Sequence, residues 1–197
     1  MQFVDTHCHI HFVDFPIEPE EVMKNAVAAD VTKLIVVGCT LEDSRAAVEF
    51  AAKHSQVWAS IGLHPHEGAK YVHDHKALQE FRTLAAQPKV VAIGETGLDY
   101  HYQHSNKEDQ QKLLRFQLDM AAEHNLPLIF HIREAFEDFW RIFDSYKSVS
   151  EQMRGVVHSF SSNTNDLEQI LSRGLHVGLN GIMPFTKQPD QLEAAKQ

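Results

Sequence analysis

Val4-Asp5-Thr6-His7-Cys8-His9, close to the N-terminus, is the stretch from which both the fold and the site are predicted. Side chains alternate between the two faces of a β-strand, so His7 and His9 are expected to share one face and Cys8 to occupy the other. Two imidazoles on one face provide half of the ligands of a metal site. The alternative is an ordinary strand that ends in two surface histidines.

Apolar segments typical of buried strands alternate with segments of helical spacing along the chain. The predicted strands are Gln2–His7, Lys33–Gly38, Val57–Ile61, Lys89–Gly94, Pro127–Phe130, Gly155–Val157 and Leu175–Leu179. The predicted helices are Glu18–Asp30, Asp43–His54, Lys76–Ala86, Lys107–His124, Ala135–Tyr146, Asn165–Ser172 and Pro189–Lys196. Strict alternation predicts an α/β fold with a parallel sheet, which is either a doubly wound sheet or a barrel.

The positions of the polar residues favour a barrel. No glycine-rich phosphate loop follows the first strand, which argues against a dinucleotide-binding sheet. Polar candidates follow five of the strands, and a (β/α)8 TIM-type barrel brings such strand ends into one ring. We therefore predict a single barrel domain over residues 1–197. A closed barrel of this type has eight strands, and only seven are predicted, so we expect the last β–α unit to be missing.

Histidines and one glutamate stand at these strand ends and suggest two metal ions. Imidazole suits zinc and other transition metals, and a carboxylate can bridge two cations. Glu95 is the carboxylate placed directly at a strand end, so we expect it to be the bridge and a catalytic residue. His7 and His9 are expected to hold one metal, and His131 and His158 the other. For any single residue, hydrogen bonding within the barrel mouth remains the alternative.

Residues near these ligands are candidates for substrate contact or support. Arg133 lies two residues after His131 and suits bidentate capture of a phosphate, although an ion pair with Glu134 or Asp99 is the alternative. Asp99 is predicted in a loop, where it would orient a ligand histidine.

Other conspicuous side chains are expected to have structural roles. We place His11 in a loop and read Cys8 and Cys39 as small core residues. The aromatic residues of the helix over Ala135–Tyr146 are predicted to pack against the barrel.

Composition limits the cell compartment and the partners. The net charge of −9 argues against a general affinity for polyanions. It leaves a nucleic acid substrate open, because a metal and a few local cations can receive a phosphate. No apolar run approaches the ~20 residues of a membrane span, and the N-terminus does not resemble a secretory signal. With only two cysteines, a cytoplasmic protein without a membrane or obligate protein partner is expected.

The motifs taken together resemble the TatD family of metal-dependent deoxyribonucleases. The matching segments are Asp5-Thr-His-Cys-His9, Gly62-Leu-His-Pro-His66, Gly94-Glu-Thr-Gly-Leu-Asp-Tyr100, His131-Ile-Arg133, His158-Ser-Phe-Ser161 and Gly178-Leu-Asn-Gly-Ile-Met-Pro-Phe-Thr186. The resemblance implies a (β/α)8 barrel, divalent-metal-dependent hydrolysis of phosphodiesters and the ligand roles given above. It also implies that His64 lies at the site mouth as a substrate contact and not as a ligand.

Two departures from the family pattern accompany the resemblance. Ser159 stands where the family commonly has cysteine. The family also has an acidic metal ligand at the end of its eighth strand, beyond the last residue of this sequence. An incomplete last unit with impaired activity is therefore expected.

The predicted function is hydrolysis of phosphodiester bonds in DNA by a metal-bridged hydroxide. The cofactors are predicted to be two divalent ions, zinc, magnesium or manganese. The substrate is DNA or another phosphodiester. The alternatives are an amide or aminoacyl-ester hydrolase on the same barrel, or a catalytically impaired, truncated chain that still binds metal.

Overall fold

The computed structural model describes residues 1–12, 14, 16–102, 104–146, 153–181, 185–186 and 188–197. Within them, seven strands form one sheet in sequential order, and every neighbouring pair is parallel. The strands are β1 (Phe3–Cys8), β2 (Val31–Val37), β3 (Val57–Ile61), β4 (Val90–Asp99), β5 (Leu128–Arg133), β6 (Gly155–Val157) and β7 (His176–Val177). A doubly wound sheet reverses its strand order at a switch point. The unbroken order found here is that of a barrel.

Helices follow the strands and pack on the outside of the sheet. Their bounds are α1 (Pro19–Ala28), α2 (Leu41–Lys53), α3 (Gly68–Tyr71), α4 (His75–Ala85), α5 (Lys107–His124), α6 (Phe136–Phe143), α7 (Thr164–Ser172) and α8 (Pro189–Ala194). Several begin at a side-chain cap: the oxygens of Thr40, Asp74, Asn106 and Asn163 each accept a backbone N–H of the first turn. Such caps satisfy amides that have no partner within the helix.

The sheet is curled, as a ring contact between β1 and the residue after β6 shows. The rings of His7, in β1, and His158, directly after β6, stack with centroids 3.5 Å apart. Adjacent strands are about 4.8 Å apart, so in a flat sheet these residues would be more than ~20 Å from each other. The carboxyl ends of the strands therefore converge on one region.

Two apolar layers pack against the two faces of the sheet. On β2, Leu34 and Val36 belong to the large layer between the sheet and the helices. Their neighbour Val37 faces inward, where it forms a small cluster with Ala92 and Ile129. The predicted packing of the aromatic helix is confirmed, since the buried ring of Phe139 meets that of Phe130 with centroids 4.9 Å apart.

The largest error of the strand prediction concerns β4. It was predicted to end at Gly94, but it continues to Asp99, which pairs with Arg133 of β5. The loop prediction for Asp99 is therefore wrong. Glycine weakens strands and marks turns in sequence. Here Gly97 instead permits a close approach: it has φ +148°, and a Cβ on it would lie 1.9 Å from the carbonyl oxygen of His131.

Smaller differences concern short segments. The strand predicted over Leu175–Leu179 is only His176–Val177, and the one-turn helix Gly68–Tyr71 was not predicted. Residues 182–184 of one family-like segment lie outside the described residues. In the described ranges no helix is long and apolar enough to span a membrane. The single-domain boundary and the missing last unit stay predictions.

Candidate metal centre

The first group of metal-ligating side chains joins β1 to β4. It consists of His7, His9 and Glu95, each of which offers one ligand atom within 4.8 Å of the others. The Nε2 atoms of His7 and His9 are 3.2 Å apart, and the Nε2 of His7 is 3.6 Å from Oε2 of Glu95. The predicted proximity of these three residues is therefore present in the structure.

The hydrogen bonds of this group leave nitrogen lone pairs available. His9 Nδ1 lies 2.9 Å from the carbonyl oxygen of Val37, to which it donates, so in the neutral ring Nε2 carries the lone pair. Burial lowers the pKa of His7 to about 4, so the ring of His7 is neutral near pH 7. Among the described residues, the buried Nδ1 of His7 has no hydrogen-bond partner.

The second group joins β4 and β5 to the segment after β3 and consists of His64, Glu95 and His131. The Nδ1 of His131 is 3.1 Å from Oε1 of Glu95, and its Nε2 is 2.9 Å from Oδ2 of Asp99. Burial by itself lowers the pKa of His131, but hydrogen bonds to Asp99 and Glu95 outweigh it and raise the pKa to about 9. Burial raises the pKa of Glu95, yet the hydrogen bond and charge of His131 bring it down to about 2.

These residues fit divalent cations. Imidazole nitrogen and carboxylate oxygen are ligands of zinc and related metals. A negatively charged Glu95 stands between the two groups, and one of its oxygens faces each of them. The buried Nδ1 of His7, which has no hydrogen-bond partner among the described residues, and the ionised Glu95 are groups that such a cation would satisfy. A metal at the second group would displace the proton that His131 holds there.

The positions of His64 and His158 relative to the two ligand groups differ from those predicted from the sequence. His64, predicted as a substrate contact, lies in the second ligand group, with its ring centroid 4.5 Å from that of His131. Burial lowers its pKa to about 3. His158, predicted as a ligand together with His131, stacks on His7 instead and belongs to neither group of the described residues. Its pKa is also lowered by burial.

Asp99 is a buried carboxylate that supports the second group. Its side chain is 1% exposed, and Oδ2 accepts from both His131, at 2.9 Å, and His66, at 3.1 Å. Oδ1 accepts the backbone N–H groups of His101 and Tyr102. Burial alone raises the pKa of Asp99, but these hydrogen bonds, led by that of His131, hold it well below its usual value. Sequence reasoning proposed this supporting role but placed the residue in a loop.

Of three residues expected to be structural, two contact residues of the centre and one does not. His11 is outside the strand, as predicted, but it is buried, and burial lowers its pKa to about 4. The Cys39 thiol lies 3.8 Å from Oε2 of Glu95, a contact that the sequence did not indicate. Cys8 faces away from the site, donates to the carbonyl of Ile35, and has its pKa raised to about 12 by burial.

A polar groove of about 760 Å³ opens from the second group. His131, His158, Arg133 and Ser159 line it, and the amide of Asn180 donates a hydrogen bond to Ser159 there. The Arg133 guanidinium carbon is 4.9 Å from the centroid of the Tyr102 ring. The carboxylates considered as partners of Arg133 are paired elsewhere. Glu134 contacts His101, and Asp99 contacts two histidines.

A curled parallel sheet whose strand ends converge on histidines around one glutamate is the architecture of metal-dependent hydrolase barrels. A family model described as TatD related DNase matches residues 4–197. The chain belongs to the TatD family, and the resemblance read from the sequence is confirmed.

Relatives of known sequence agree with this assignment. The 3'-5' ssDNA/RNA exonuclease TatD of Enterobacter lignolyticus is 32% identical over 167 residues, which are 85% of this chain and 63% of the relative. The metal-dependent hydrolase YabD of Bacillus subtilis is 31% identical over 193 residues, which are 98% of this chain and 74% of YabD. The chain thus spans about 63% of the length of the exonuclease it matches.

Solved structures agree as well. A TatD family hydrolase from Entamoeba histolytica superposes with a TM-score of 0.86 at 26% identity, over 100% of this chain and 70% of that one. The Escherichia coli homolog YJJV gives a TM-score of 0.82 at 31% identity, over 92% of this chain and 69% of that one.

Proposed function

We propose that this chain is a metal-dependent hydrolase that cleaves phosphodiester bonds in nucleic acid, with single-stranded DNA as its substrate. The observation that carries the proposal is the position of Glu95. It is shared by two groups of ligand atoms at the head of a groove that Arg133 lines. Relatives named as exonucleases of single-stranded DNA and RNA support the choice of substrate.

Each of the two ligand groups would bind one metal ion. Glu95 would bridge two divalent cations, with His7 and His9 on one side and His131 on the other. Cations bound in this way supply a nucleophile at neutral pH and neutralise charge on the phosphate. Zinc, manganese and magnesium are the candidates, and the nitrogen-rich ligand set favours the first two.

Two residues, His158 and His64, are candidates for the remaining ligand of the second metal. The resemblance to the family supports His158, and the grouping of ligand atoms supports His64. We propose that His158 completes the site and that its stacking on His7 orients both rings. His64→Ala should then retain the metal content of the parent, whereas His158→Ala should lose part of it. The opposite result would assign the ligand to His64.

Arg133 would hold the scissile phosphate. Its guanidinium lines the groove beside His131, and it forms no ion pair with a carboxylate in the described part of the chain. A cation of this kind suits a phosphate oxygen pair. Hydrolysis of an amide or an aminoacyl ester would leave such an arginine without a use, so the phosphodiester is the better-supported substrate.

The experiment is hydrolysis of a 5'-labelled single-stranded oligonucleotide by the metal-stripped chain after addition of zinc, manganese or magnesium. Glu95→Gln keeps the size of the side chain and removes the charge, so it should abolish hydrolysis and lower metal content. Glu80→Gln is the matched control, because Glu80 pairs with Arg45 at the surface. A Glu95→Gln chain that hydrolyses and binds metal like the parent would overturn the proposal.

A further inference from the structure

A second cavity next to the groove is left without a role by the proposed function. It has a volume of about 320 Å³ and is called the tyrosine pocket below. The lining residues used below are Asp99, Tyr100, Tyr102, Asn106, Lys107 and Gln110. Because Asp99 also holds His131, this pocket reaches the support of the candidate metal centre.

Tyr102 lies at the boundary between the tyrosine pocket and the groove. Its ring lines the pocket, and its centroid is 4.9 Å from the guanidinium carbon of Arg133, which lines the groove. The residue is 44% exposed, so part of its ring is open to solvent between Arg133 and the neighbouring histidine rings. Its backbone N–H donates to the buried carboxylate of Asp99 at 3.0 Å, and this hydrogen bond holds the Tyr102 backbone next to the site.

Positive charge lies beside this ring and elsewhere in the pocket. Arg133 is beside the Tyr102 ring on the groove side, and Lys107 lines the pocket, where its Nζ lies 4.1 Å from the centroid of Tyr100. The negative charge of Asp99 does not neutralise these cations, because its carboxylate already accepts four hydrogen bonds from other groups. An aromatic surface flanked by cations matches the repeat of base and phosphate in a single strand.

The polar groups of the pocket are already used by the protein. The Gln110 amide donates to the carbonyls of Asp99 and Ser105, both at 2.9 Å, and accepts the N–H of Asp99 at 2.8 Å. Asn106 is bonded to Asp109 at the start of α5. The pocket therefore offers stacking and charge, with little capacity to read the edge of a base.

We infer that the tyrosine pocket receives a nucleobase of the single-stranded substrate, stacked on Tyr102 and flanked by phosphates at Arg133 and Lys107. This inference rests on the proposed function and specifies its substrate as unpaired and sequence-tolerant. Duplex DNA keeps its bases stacked in the helix and cannot place one there without unpairing.

The test is the affinity of the metal-stripped full chain, in EDTA, for two labelled strands. One is a hexamer of deoxythymidine, and the other is a hexamer of the same length with abasic residues. Tyr102→Ala should weaken binding of the first about 5- to 100-fold, the range for loss of one stacked base, and leave the second unchanged. Tyr102→Trp should bind both strands as the parent does. Leu171→Ala removes an exposed apolar side chain from α7 and serves as the control.

Each other outcome overturns the inference. Equal weakening of both strands by Tyr102→Ala would make Tyr102 a structural residue, and equal parent affinity for both strands would exclude a base site. A Tyr102→Ala effect on deoxythymidine strands that disappears on deoxyadenosine strands would replace sequence tolerance by base readout.

Failure of the proposed function would appear separately. Hydrolysis of the hexamers by the metal-loaded parent measures the chemistry. Tyr102-dependent binding without hydrolysis would reject the phosphodiesterase and retain the pocket. Hydrolysis of both strands, with binding that does not depend on Tyr102, would retain the phosphodiesterase and reject the pocket.

Discussion

The two sides of the candidate centre differ in how firmly the protein holds them. On the β1 side, His7 and His9 contact each other, and one backbone carbonyl fixes His9. On the β5 side, His131 has a carboxylate at each nitrogen, and the buried Asp99 is itself held by backbone donors. The β5 side is therefore held by more hydrogen bonds than the β1 side, whose rings depend on one backbone carbonyl and on the stacking of His158 on His7.

The largest expected effect comes from the scaffold of the β5 side. Gly97→Ala adds a Cβ that would lie 1.9 Å from the carbonyl of His131, at φ +148°. We expect a loss of more than ~3 kcal/mol in the free energy of unfolding, since both strain and displacement of β5 contribute. Urea denaturation of both chains measures it.

Gly174→Ala is the matched control for this prediction. Gly174 has φ +71° but no atom within 4 Å of the added Cβ, so it should lose only the ~1–2 kcal/mol of a left-handed residue. Equal losses in both variants would mean that the contact between β4 and β5 is not tight.

The next effect separates the two sides by metal affinity. Asp99→Asn removes the charge that holds Nε2 of His131, and loss of such a support typically weakens a metal site about 10- to 100-fold. We expect isothermal titration to show one weakened site and one unchanged site. Asp109→Asn, at the N-terminal turn of α5, is the control. Weakening of both sites to the same degree would remove the distinction between the sides.

A smaller effect is the pH dependence of the metal-free chain. The pKa of His131 is raised from 6.5 to about 9, so its stabilisation is present below pH 6.5 and is lost as pH rises towards 9. The pKa of His7 is lowered to about 4, so its stabilisation is present above pH 6.5 and is lost as pH falls towards 4. The free energy of unfolding should decline in both directions from near pH 6.5. His131→Gln should remove the alkaline decline alone, and a parent-like decline in that variant would contradict the assignment.

The smallest effect concerns Cys39, which belongs to the β1 side. Its thiol contacts Glu95 at 3.8 Å, a long and weak hydrogen bond. Cys39→Ala should cost no more than about 1 kcal/mol and leave the affinity of the β5 side unchanged. A large loss of metal in titration would show that the thiol supports the bridge.

The sequence was sufficient for the features that depend on periodicity. Alternating apolar segments predicted the parallel strands, and the alternation of faces predicted that His7 and His9 lie together. Glu95 lies beside them, although it is inside β4 and not at the strand end where it was predicted. These predictions succeed because burial and face alternation are local properties of a strand.

Other features depend on contacts between distant residues and could not be predicted in that way. The extension of β4 depends on a backbone approach between Gly97 and His131, which composition does not reveal. The place of His64 beside His131 and that of His158 on His7 depend on how strongly the sheet curls. The sequence did not indicate a role for Tyr102, because a single aromatic residue after a strand forms no periodic pattern.

The hydrogen bonds of Asp99 also connect the buried centre to its rim. Glu95, His131, Asp99 and His66 are linked in series by contacts of 3.1, 2.9 and 3.1 Å. The first member is 9% exposed and the last is 26% exposed, so the series runs from the buried glutamate towards the solvent. His66, at the rim, therefore helps to set the position of Asp99 and, through it, the orientation of the His131 ring.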